Sequence, residues 1–282
     1  MLKALLWDVD GTLAETEHDG HLVAFNRAFA QLGLPWFWGE RRYGELLTIT
    51  GGRERLFHDL RTQPWAPVDA DERTALAERV HALKNACYAR IVAEGLIPLR
   101  PGVRELLDDC ALAGVAMAIV TTTSRANVVA LLDAQLGSGW PARFAALVCG
   151  EDVARKKPDP QAYQVALDAL GLAAADTLAI EDAPAGVAAA CGAGVLVVVT
   201  RSRYFAAPCA VAPVCPADAA NRVLAVGPSL GGVQGWQPAA AGDAGRIGLA
   251  QLQRWHSAAL QGAARGVRKT APQAAPTIQG PR

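Results

Sequence analysis

The stretch LLWDVDGTLAETE, residues 5–17, decides the fold. A short apolar run ends on Asp8 and Asp10, one residue apart, and a Gly-Thr pair follows. KALLWD (3–8) reads as a buried parallel strand with the carboxylates at its C-terminal end. Residues i and i+2 of a strand share a face, so the two acids point the same way and repel. A bare D-x-D would read as a turn after a strand. With the apolar run before it and Gly-Thr behind it, the pair reads as chemistry. A carboxylate is a nucleophile toward phosphorus, and a neighbouring carboxyl can protonate a leaving oxygen and later deprotonate water.

Outward from this strand, residues 16–95 are helical. HLVAFNRAFAQLGL carries Leu22, Phe25, Phe29 and Leu32 near helical spacing. The Gly-Gly pair of YGELLTITGGRERLFHDL splits that stretch into two short helices. DADERTALAERVHALKNACYARIVAEG opens on acids and can close on Gly95. From Leu99 strands and helices alternate. VAMAIVT (115–121), FAALVCG (144–150), TLAIED (177–182) and VLVVVT (195–200) are the expected strands. Such alternation predicts right-handed crossovers and a Rossmann-like parallel α/β sheet, with ligands off the C-terminal strand ends. The expected division is a core of 1–15 and 96–225, a helical cap of 16–95, a loop and docking helix over 226–260, and a disordered tail over 261–282. The docking helix is GLAQLQRWHSAAL (248–260), with Leu249, Leu252, Trp255 and Leu260 on one face. The last residues are too polar and proline-rich to fold alone.

Three more polar clusters fall at predicted strand ends. Thr121-Thr122-Thr123 offers hydroxyls and free N–H groups before a helix, which suit phosphate oxygens; threonine there is also a common helix cap. Lys157, in RKKPDP between prolines, can neutralise phosphate charge, whereas Lys156 reads as a surface lysine. Glu181-Asp182 ends a strand just as Asp8 does. Acids from two strands make an oxygen-rich site suited to Mg²⁺, and the cation would hold the carboxylates ionised and together. The order D-x-D-G-T, Thr, Lys, acid pair at four strand ends points to phosphoryl chemistry.

These four clusters resemble motifs I to IV of the haloacid dehalogenase-like phosphatase superfamily, and the helical block resembles its small α-helical cap. DVDGTLAETEHDGHLVAFNRAF, YGELLTITGGRERL and IEDAPAGVAAA are similar to the Calvin-cycle CbbY-type branch, the xylulose-1,5-bisphosphate phosphatases. The resemblance covers about residues 1–225, is weak in GLAQLQRWHSA, and is absent from the tail. It implies Asp8 as nucleophile and Asp10 as general acid/base. It implies Mg²⁺ held by Asp8, the Asp10 carbonyl and Asp182, with Glu181 in or beside that set. Thr121, the Thr122 N–H and Lys157 would bind the transferred phosphoryl group. Glu17, His21, Tyr43, Gly52, Arg53 and Arg55 are candidates for the sugar and its far phosphate. Arg53 stands where the resemblance leads one to expect lysine, and a fork is not a point charge.

The resemblance leaves two rivals on the same fold, a sugar phosphomutase like β-phosphoglucomutase and a phosphatase for phosphoglycolate or another monophosphate. A non-enzymatic scaffold would have lost Asp8, Asp10, Lys157 or Asp182, and all are present. The chain of 282 residues has zero formal net charge, which gives no electrostatic case for nucleic acid. From residue 227 onward six Lys/Arg face one acid, Asp243, so the tail is mildly basic. The six cysteines form no C-x-x-C and no zinc spacing, as expected of a reducing cytoplasm. No apolar run approaches a membrane span or a signal-peptide core. The expectation is a cytoplasmic monomer acting on a small-molecule sugar phosphate.

Overall fold

The computed structural model describes residues 1–206, 222–240 and 245–270, the last eight as backbone only. Its centre is a parallel sheet of β1 (Ala4–Trp7), β2 (Ala116–Val120), β3 (Ala146–Val148), β4 (Thr177–Glu181), β5 (Leu196–Thr200) and β6 (Val223–Gly227). The spatial order is β3-β2-β1-β4-β5-β6, and every pairing is parallel. Strand periodicity sorts the side chains into two cores. Leu5, Trp7, Met117, Ile119, Leu178 and Ile180 face one layer, and Leu6, Ala118, Val120, Ala179, Val197 and Val199 face the other. The first layer is covered by α5 (Val103–Ala113), α6 (Arg125–Leu136) and α9 (Leu249–Thr270). The second is covered by α7 (Gln161–Leu170) and α8 (Pro184–Gly192).

Between β1 and α5 the chain is helical: a π-helical turn over Glu17–Leu22, then α1 (Val23–Gln31), α2 (Glu40–Leu46), α3 (Gly52–Leu60) and α4 (Ala70–Ala93). These helices enclose their own core of Phe25, Phe29, Trp36, Trp38, Leu56 and Val80, among others. Asp69 starts α4 by accepting from the N–H groups of Asp71 and Glu72, each at 2.9 Å. The two chain passages between this block and the sheet lie side by side. Ala14 pairs antiparallel with Leu99, and the Arg100 N–H donates to the Leu13 carbonyl at 2.8 Å.

Two elements differ from the sequence expectation. Val223–Gly227, read from the sequence as the end of the core and the start of a loop, is an edge strand paired with β5. Its five residues end on glycine and give too short a run to stand out from a polar, proline-containing neighbourhood. The docking helix, expected to stop at Leu260 before a disordered tail, continues to Thr270. The added segment holds Ala, Arg and Lys, which sustain helix once packing has nucleated it. Residues 271–282 lie outside the described residues. Among the described residues no helix is long and apolar enough to cross a membrane.

Candidate active site

The ends of β1, β2 and β4 converge on a cavity of about 320 Å³, lined among others by Asp8, Thr122, Lys157, Glu181 and Asp182. Lys157 sits at its floor, 4% exposed. Its ammonium donates to Asp8 Oδ1 at 2.8 Å, Glu181 Oε1 at 2.6 Å and the Val120 carbonyl at 2.7 Å. Those three contacts use all three ammonium protons. Burial works against the charge, yet the Asp8 and Glu181 carboxylates hold the Lys157 pKa above its usual value. Burial pushes Asp8 up to about 8, Lys157 pulling it back only in part and the Glu181 charge adding to the rise. Asp182 is raised as well, by burial and then by Asp8.

Asp8, Glu181 and Asp182 bring carboxylate oxygens within 4.8 Å of one another. Were all three ionised, they would carry two more negative charges than the Lys157 ammonium offsets. Asp182 Oδ1 is buried with no hydrogen-bond partner. Gly11, at φ +85°, presses close to the same side chain: a Cβ there would stand 2.0 Å from Asp182 Oδ2. An orphaned carboxylate oxygen in an all-oxygen set fits a divalent cation.

The Asp10 carboxylate is turned away from this cluster, toward the helical block. Its Oδ1 accepts from the Thr16 hydroxyl at 2.5 Å and from His21 Nε2 at 2.9 Å. Lys84 Nζ lies 2.9 Å from His21 Nδ1. An ammonium can only donate, so Nδ1 accepts and the ring proton sits on Nε2, directed at Asp10. His21 is held flat by stacking on Tyr88, 4.2 Å between centroids. Burial opposes ionisation of Asp10. The His21 and Thr16 hydrogen bonds and the Lys84 charge act the other way and hold its carboxyl below the usual carboxylate range. Burial lowers Lys84 to about 8 despite the attraction of Asp10 and Glu17.

The far wall belongs to the helical block. Arg55, buried, donates to Tyr43 Oη at 3.2 Å, to the Ile49 carbonyl at 2.9 Å and to Glu17 Oε1 at 3.3 Å. The Tyr43 hydroxyl donates to Glu17 Oε2. Gly51 and Gly52 open α3 against the cavity.

Most candidates therefore gather in one place, but not all as expected. Glu17, His21, Gly52, Arg55 and Thr122 line the cavity, and Tyr43 stands behind Glu17 and Arg55. Thr121 is buried, its hydroxyl accepting the Thr123 N–H at 3.2 Å. Arg53 is turned out, half exposed, donating to Glu78 at 3.1 Å and lying over the Phe57 ring. Position 53 follows the N-terminal Gly52 of α3, and the helix turn sends it outward while Arg55 points in. Lys156 is not an idle surface lysine: it pairs with Glu54 Oε1 at 2.6 Å, between the helical block and the loop of Lys157. Sequence reasoning missed Thr16, Lys84 and Tyr163. The Tyr163 hydroxyl, fully buried on α7, donates to Glu181 Oε1. Thr16 and Tyr163 stand in ordinary helix and loop patterns. Lys84 carried a signal, a lysine inside the apolar face Leu76, Val80, Leu83, Cys87.

A family model for haloacid dehalogenase-like hydrolase matches residues 2–194. The plasmid-encoded protein CbbY of Cupriavidus necator is 42% identical over 266 residues, covering 92% of this chain and 98% of its own. Protein CbbY of Rhodobacter capsulatus is 45% identical over 203 residues, covering 72% and 87%. Among solved structures, a CbbY variant from Rhodobacter sphaeroides in complex with xylulose-1,5-bisphosphate superposes with a TM-score of 0.68 at 41% identity. That match covers 73% of this chain and 88% of the other.

Proposed function

The chain belongs to the haloacid dehalogenase-like hydrolase family, and from its site we infer a phosphatase that converts xylulose-1,5-bisphosphate to xylulose-5-phosphate. The observation that carries the substrate is a single cavity with a cation at each of its two ends. Lys157 and the threonine loop stand at the sheet end, and Arg55 with the glycine start of α3 stands at the helical end. The likeness to a CbbY that holds this bisphosphate supports the reading. The described cysteines Cys87, Cys110, Cys149 and Cys191 are buried and in no disulfide, which supports a cytoplasmic setting. We read the enzyme as a monomer, with residues 16–95 as its cap.

In this reading Asp8 Oδ attacks phosphorus, forming an aspartyl-phosphate as the bond from phosphorus to the sugar oxygen breaks. Asp10 gives its proton to that leaving oxygen. A water then attacks the aspartyl-phosphate, Asp10 takes its proton, and Asp8 and inorganic phosphate are released. Asp10 begins ionised, so it must first gain a proton. An incoming phosphate dianion favours that by like-charge repulsion, and the His21–Lys84 pair holds protons beside it. Mg²⁺ held by Asp8, the Asp10 carbonyl and Asp182 would supply the missing positive charge and neutralise the phosphoryl oxygens. Glu181 is read as the anchor of Lys157 beside that set.

Phosphate release over a panel of sugar mono- and bisphosphates tests this. Xylulose-1,5-bisphosphate should exceed any monophosphate by at least tenfold in kcat/KM. EDTA should stop turnover and Mg²⁺ restore it. No preference for bisphosphates would replace this reading with that of a general phosphatase.

A further inference from the structure

Arg100 lies outside the cavity and has no part in the chemistry above, yet its side chain is 6% exposed and densely bonded. One terminal nitrogen donates to the Gly11 carbonyl, to Thr200 Oγ1 at 3.0 Å and to the Thr200 carbonyl at 3.3 Å. The other donates to the Arg201 carbonyl at 2.5 Å and the Pro228 carbonyl at 2.9 Å. Nε lies 3.2 Å from Glu15 Oε1. One guanidinium thus binds the turn after Asp10, the end of β5, the residue after β6, and the chain entering the helical block. The geometry is enforced locally. Pro101-Gly102 lies so close to the 230–231 backbone that a Cβ on Gly102 would stand 2.4 Å from the Leu230 carbonyl carbon.

Gly11 is the link to the site. Its carbonyl is held by Arg100, its N–H by the Ala14 carbonyl at 2.8 Å, and its Cα sits against Asp182. The turn between Asp10 and Ala14 is therefore fixed from behind by a group that touches neither substrate nor reacting atoms. We propose that Arg100 is a positioning residue for the phosphatase reaction: it fixes the Asp10–Ala14 turn, and so sets Asp10 and Asp182 relative to Asp8. The fork is required because a point-charge ammonium cannot reach three chain segments in one plane. The proposal rests on the phosphatase activity but not on the identity of the sugar.

The test is Arg100→Lys, assayed with p-nitrophenyl phosphate and with xylulose-1,5-bisphosphate. We expect a folded protein whose kcat falls at least tenfold on both substrates, with KM within threefold. Mg²⁺ binding measured by calorimetry should weaken at least fivefold. A lowered melting temperature with kcat per folded molecule within twofold of wild type would make Arg100 merely structural and overturn the proposal. If only the bisphosphate suffers, Arg100 acts on the helical block instead, and the proposal also fails. Should the lysine variant not fold, Glu15→Gln decides, since it removes one anchor at an exposed edge. Amide exchange over residues 8–14 should rise at least threefold and kcat on p-nitrophenyl phosphate fall at least threefold. Unchanged exchange and kcat would overturn the proposal.

Discussion

Two arginines two positions apart face opposite ways, and that difference is testable. Arg55 is buried against Glu17 and Tyr43 at the cavity wall, while Arg53 pairs with Glu78 outside it. Arg55→Ala should lower kcat/KM for a bisphosphate by about 1.5–3 kcal/mol, the scale of a charge-assisted hydrogen bond. Arg53→Ala should change it less than threefold. Taking each as a ratio to p-nitrophenyl phosphate hydrolysis cancels any loss of folded protein. Asp10→Asn should lower kcat by roughly 10²–10⁴ and leave binding intact, because in the proposed mechanism both half-reactions use its proton. An unchanged kcat, with chemistry shown to be rate-limiting, would remove Asp10 from that role. At this scale the four strand-end clusters were legible because each breaks an apolar run with a charge or a row of hydroxyls. Thr16 and Tyr163 were not legible, since a hydroxyl among ordinary neighbours acquires its partner only when distant segments meet.

Among the elements, the helical block is organised around one buried carboxylate. Asp59 Oδ2 accepts from the indole N–H groups of Trp36 at 2.8 Å and Trp38 at 2.6 Å, and Oδ1 accepts from Arg42 Nε at 3.1 Å. This ties α3 to α2 and to the tryptophan loop between α1 and α2. Asp59→Ala would orphan two indole donors and should cost about 2–4 kcal/mol of stability. Burial opposes the Asp59 charge, but Arg42 and the indoles lower its pKa below 3.8. The stabilisation is therefore present above about pH 4 and lost as pH falls through the lowered value. Chemical denaturation at pH 7 and pH 3 should show the wild-type advantage over Asp59→Asn shrinking at the lower pH. A constant difference would mean that hydrogen bonding rather than charge carries the effect. The strands β1, β2, β4 and β5 were readable as apolar runs between turn signals. β6 was not, because an edge strand is defined by the neighbour it pairs with.

Over the whole molecule, the C-terminal helix closes one face of the sheet. Leu249, Leu252 and Trp255 of α9 join the core that contains Leu5 and Trp7, with Trp236 5.3 Å from the Trp255 ring. Leu252 is fully buried, so Leu252→Ala should cost about 2–5 kcal/mol. Thermal unfolding should shift by roughly 5–15 °C, with kcat per folded molecule unchanged; a melting temperature within 2 °C of wild type would show that α9 is not integral to the core. The apolar stripe of this helix was visible in the sequence, but its true length was not, since nothing apolar marks the turns beyond Leu260. The helical block shows the opposite relation to the sheet. Because Ala14 and Leu99 are paired neighbours, its two ends leave the scaffold at one point. A graft of another helical block at that point would need no rearrangement of the strands. It could change which molecules are admitted without touching Asp8, Lys157 or Asp182. Thr16, His21 and Lys84 travel with the block, however, and they hold Asp10. A working chimaera must bring replacements for those three side chains, so under the proposed mechanism recognition is modular while proton transfer is shared across the seam.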